Sequence, residues 1–104
     1  MGAIPERDWL YLRRVRGQLL EALCARISGE ASRIMADHSL NQHAKFLQLY
    51  THVNGQNVVV ADCFDDWRRS NILLKLLLLR EHRLLTDEHL SKLSAETQGR
   101  LNTV

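Results

Sequence analysis

An all-α bundle of four or five helices is the fold this sequence predicts, and three observations predict it. Apolar residues recur at three- and four-residue spacing along most of the chain, proline occurs only once, and serine or threonine stands before acidic residues at two points near the C-terminus. With 104 residues, 45% of them hydrophobic and 25% charged, residues 1–104 make one helical domain that can bury a core without disulfides or metal.

The first element follows from Leu12, Val15, Leu19, Leu23 and Ile27, which share one face of a helix starting near Glu6. Pro5 suits its opening turn, where a missing amide hydrogen is harmless. Ser28-Gly29 weakens the pattern, but Ala31, Ile34 and Met35 carry the same face to about Ala36, so one long or slightly interrupted helix is expected. Ser39, followed three residues later by Gln42, has the form of a capping box and sets a second helix starting near Leu40. Phe46, Tyr50, Val53, Asn57, Val60, Phe64 and Trp67 continue in one register. The competing reading is a short β-hairpin at Asn54-Gly55, whose residues tolerate the positive φ of a type I′ turn. The helix is preferred because the register spans both sides of that turn.

Residues 65–83 read as a third helix, with Arg68, Asn71, Lys75 and His82 on a polar stripe and Ile72 to Leu79 supplying apolar cover around most of the rest. Such a helix is central to a bundle or shared with another subunit. Thr86 before Asp87-Glu88 and Ser94 before Ala95-Glu96 then cap two short helices with acids at their positive ends.

Several function classes lose support at this stage. The Glu6-Arg7-Asp8 start is no signal peptide, and the leucine run is broken by Lys75 and ended by Arg80, so a cytoplasmic protein without membrane contact is expected. Cys24 and Cys63 stand alone and read as free thiols, and Asp62 beside Cys63 disfavours a nucleophilic thiolate. The five histidines form no metal-binding spacing, so neither metal nor cofactor is expected. The net charge of +2 is too small to imply a nucleic-acid partner, although residues 37–67 hold four acids and one base against one acid and five bases in residues 68–83.

Three readings remain. The first is a non-enzymatic protein-interaction or regulatory protein that binds a partner protein or forms a homodimer through one side of Ile72–Leu79, with Trp67, Leu73 and Leu77 as interface or packing residues. A nucleic-acid-binding regulator would instead use Arg13, Arg14, Arg16, Arg68 and Arg69. A carboxylate- or metal-dependent enzyme would centre on Asp62, Asp65 and Asp66, with Asp62–Asp66 and Asp65–Arg69 each one helical turn apart. Surface ion pairing is the simpler account of that acidic cluster.

Overall fold

The computed structural model describes residues 3–103, which form five α-helices and no strand. Helix α1 (Glu6–Met35) is unbroken for 30 residues, about 45 Å at 1.5 Å per residue. The chain turns over residues 36–41 and returns as α2 (Gln42–Phe64). The two run antiparallel: the Arg16 guanidinium donates to the Phe64 carbonyl at 2.7 Å, and the His52 ring pairs with the Ile27 carbonyl at 2.9 Å.

One expectation for α2 needs correction, and its competing hairpin reading falls away. The N-cap is Asn41, whose side chain accepts from the Ala44 amide at 2.8 Å, because the Asp37 carboxylate has already captured the Ser39 amide and hydroxyl at 2.9 and 2.6 Å. A local side-chain bond to backbone has outcompeted the expected box. Asn54-Gly55 lies inside the helix, and Gly55 lacks the positive φ that a hairpin turn requires.

The expected helix over 65–83 is shorter. Asp65 is extended and Asp66 is left-handed at φ 57°, so residues 65–71 turn and α3 covers only Ile72–Glu81. Asn71 holds this turn, accepting from the Arg68 amide at 2.9 Å and donating to the Asp66 carbonyl at 2.8 Å. Short polar side chains have again bonded locally where a helix would have needed their backbone. At its other end α3 closes in a Schellman motif: Leu84 donates to the Leu79 carbonyl and Arg83 to that of Arg80, with Arg83 at φ 58° where glycine is usual. Arg26 of α1 donates to the carbonyls of His82 and Arg83 at 2.6 and 2.7 Å, satisfying two acceptors beyond the helix end.

Thr86 and Ser94 cap α4 (Asp87–Ser91) and α5 (Ala95–Asn102) as expected, with His89 completing a capping box in α4. The core gathers at one end of the α1–α2 hairpin. There Ile4, Leu12, Leu19 and Leu23 pack with Phe64, Ile72, Leu76, Leu79, Leu93 and Leu101. Beyond that end the hairpin continues as a two-helix layer, which gives the molecule its 52 × 24 × 22 Å shape.

Candidate interaction surface

The register expected from Phe46 to Trp67 leaves the helix after Phe64, with Trp67 in the turn beyond it, and its members have two fates. At the core end Phe64 is buried, and Val60 and Trp67 pack against the core. In the projecting half, Phe46 and Tyr50 are each 61% exposed and Val53 is 48% exposed. The divide follows from the fold: α3 packs on α2 near its C-terminal end, whereas the N-terminal half has α1 alone beside it. Leu47 and Val58, three turns apart, are exposed alongside the register, so five large apolar side chains share one flank of a helix. The rings of Phe46 and Tyr50 lie 6.4 Å apart, close enough to act as one aromatic pair.

The same stretch lacks charge. Between Lys45 and Asp62, sixteen consecutive residues include no Asp, Glu, Lys or Arg. An exposed helix normally presents charges to water, and a surface poor in charge and bearing aromatic rings has the composition found at the centre of protein interfaces. This signal is readable in the sequence, where the helical period itself reports only that these residues share a face. Next to Leu47, a shallow groove between α1 and α2 is lined by Ile34, Gln48, Thr51 and His52 and by the Glu30–Arg33 ion pair.

Helix α3 is covered for the most part within the chain. Ile72, Leu76 and Leu79 are fully buried, Leu73, Leu77 and Leu78 pack half-buried against the core, and Leu74 is the large exposed residue of the helix. Trp67 is also a packing residue: its indole donates to the Cys63 carbonyl at 2.7 Å, and its ring stacks on Phe64.

The five arginines are dispersed among structural contacts. Arg16 lies over the Phe64 and Trp67 rings, Arg13 over Trp9, and Arg14 over Tyr11. Arg69 donates to the Ile4 carbonyl at 3.0 Å, and Arg68 pairs with Asp66 at 2.9 Å. Arg7, Arg14 and Lys92 do share an open cleft with Leu10 and Tyr11.

Nor do the acids converge as the helical reading expected. Asp62 lies in the last turn of α2, Asp65 caps it, and Asp66 turns away to Arg68, so neither the Asp62–Asp66 nor the Asp65–Arg69 helical pairing forms. Among the described residues no group of three His, Cys, Asp or Glu side chains is placed to hold a metal ion. Burial pushes the Cys63 thiol above its ordinary range, with the Asp62 charge adding to the effect, so the thiolate is disfavoured.

The buried carboxylate belongs instead to Asp8, which the sequence presented as one more acid in a charged first turn. It accepts from the Ser94 amide at 3.0 Å, the Ser94 hydroxyl at 2.6 Å and the Thr97 hydroxyl at 2.5 Å, fastening α1 to the N-terminus of α5. Burial alone raises its pKa, but these hydrogen bonds and nearby Arg7 outweigh that and hold it below the usual carboxylate range. These partners all lie inside the chain, so the carboxylate serves as a clamp between α1 and α5.

Comparison with protein-family models, curated proteins and solved structures returns no match. Among the described residues no helix is long and apolar enough to cross a membrane.

Proposed function

We propose that the chain is a non-enzymatic cytoplasmic interaction protein that recognises another protein helix through the uncharged flank of α2. One observation carries the proposal: Phe46, Leu47, Tyr50, Val53 and Val58 are exposed on a helical stretch with no charged side chain. The two free thiols agree with a reducing compartment.

The mechanism is burial of preformed apolar surface. Together the five side chains expose roughly 550 Å², which at about 25 cal/mol per Å² represents some 14 kcal/mol of gross driving force. Association offsets about 4–15 kcal/mol of this through lost translational and rotational freedom, so net affinity depends on how well a partner receives Phe46 and Tyr50. Both rings stand on a helix packed against α1, which limits the further ordering that binding demands.

A photoreactive benzophenone side chain installed in place of Tyr50 tests this in living cells, with the exposed Glu21 of α1 as the control position. Discrete adducts from position 50, absent from position 21, are expected. No adducts from position 50, or the same diffuse products from both positions, would overturn the proposal.

A further inference from the structure

We infer that the partner on this surface is a second copy of the chain, its α2 packed antiparallel on the first to complete a four-helix bundle. This rests on the reading of α2 as the recognition element and specifies what occupies it.

Charge is the first argument. A surface placed against its own copy meets the same charges, so self-association is disfavoured where the surface is strongly of one sign. Sixteen residues free of Asp, Glu, Lys and Arg avoid that repulsion and leave no charge to desolvate at the centre of the contact.

Direction follows from the ends of this segment. His43 and Lys45 stand at its N-terminal end and Asp62 at its C-terminal end. Parallel packing brings like ends together. Antiparallel packing sets the basic end of each helix beside the acidic end of the other and opposes the two helix dipoles. The register allows this: Phe46, Tyr50, Val53 and Asn57 are spaced by four, three and four residues, a pattern unchanged on reversal. A reversed copy therefore seats Phe46 against Asn57 and Tyr50 against Val53, about an axis between residues 51 and 52.

Area and architecture agree. Covering Phe46, Leu47, Tyr50 and Val53 on both copies removes on the order of 900 Å², and the exposed Asn54 and Asn57 extend this into the range of specific interfaces. The projecting hairpin is a single layer of two helices, and a second hairpin across it supplies the missing layer. The contact is isologous and closes on itself, so it gives a dimer and not a filament.

Sedimentation equilibrium of the purified full chain at micromolar concentration should give twice the monomer mass of 12.0 kDa. Tyr50→Asp and Val53→Lys should each return the monomer mass with unchanged helical circular dichroism. For direction, Phe46→Cys and Asn57→Cys are made separately in a Cys24→Ser background. Mild oxidation should cross-link a mixture of the two but neither alone. Cross-linking of each variant with itself would overturn the antiparallel arrangement, and a dimer that survives both charge substitutions would overturn the assignment to α2. A wild-type monomer whose position-50 photoadducts contain other proteins would overturn self-association while leaving the recognition surface standing. A wild-type monomer without adducts would remove both.

Discussion

Replacing Asp8 measures how the C-terminal helices are fastened to the hairpin. The carboxylate has no solvent exposure and receives three hydrogen bonds from Ser94 and Thr97. In Asp8→Ala the two hydroxyls, 3.3 Å apart, can turn to each other, but the Ser94 amide loses its acceptor and the positive end of α5 loses its counter-charge. Bonds to a charged acceptor contribute about 1.5–3 kcal/mol and a stranded buried donor costs about 1–3, so the expected loss is about 2–4 kcal/mol. That is a large part of the 5–15 kcal/mol typical of a domain. Asp8→Asn keeps the shape and one acceptor without the charge, and should lose about 1–2 kcal/mol at pH 7. Because the folded pKa is depressed, the unfolded chain binds more protons in the acidic range, and this contribution to stability falls with pH. It is complete above the ordinary aspartate value of 3.8 and is lost as pH drops through the folded value. Urea unfolding of wild type and Asp8→Asn at pH 7 and at successively lower pH reads both effects. The gap between them should narrow on acidification. A gap below about 0.5 kcal/mol at neutral pH, or one that stays constant into acid, would refute the clamp.

The packing of α3 predicts that Leu76→Ala costs about 2–5 kcal/mol, while Leu74→Ala stays within about 0.5, as compared by urea midpoints. Arg83→Gly should stabilise by up to about 1 kcal/mol, seen as a raised melting temperature, because glycine adopts φ 58° without the Cβ penalty that arginine meets there. Cys24 should react with a thiol reagent before Cys63, and Cys63 should react only when denaturant opens the core; rapid two-thiol reaction in the native protein would contradict its burial. Backbone amides of residues 42–56 should exchange faster than those of 72–79 in the Tyr50→Asp chain, because the projecting half has fewer elements around it.

The helical fold was legible wherever neighbouring residues in sequence are also neighbours in space. Leu12, Val15, Leu19 and Leu23 announce α1, and each is buried as that pattern requires. Thr86 and Ser94 announce their helices because a cap acts across three residues. What escaped was decided by competition or by distance. Ser39 had the right spacing to Gln42, but Asp37, two residues away, took its donors. The Asp62–Asp66 pair vanished because residue 66 is left-handed, a choice enforced by Asn71 five positions later. Asp8 meets Ser94 from 86 residues away, and no local pattern encodes that contact. The α2 register was read correctly as a helix face, yet helical period reports only that residues share a side. Whether the chain has anything left to place against that side is a question of topology.

Topology also separates folding from recognition. The buried apolar residues lie mostly at the core end, where α3, Leu84-Leu85 and α5 close over the hairpin, and Ile34 is the buried apolar residue near its far end. A substitution at Phe46 or Tyr50 therefore removes little that the isolated chain relies upon, whereas one at Leu76 opens its core. Had Phe46 and Tyr50 been pinned under a local helix, their apolar surface would have served stability alone. Standing uncovered, they leave that surface in water, open to the helix partner proposed above. Exposure of this kind carries an aggregation hazard, which charges along the stretch would reduce. Their absence over four turns is the feature that the proposed self-association through α2 would explain, since a charge there would be desolvated each time two copies met.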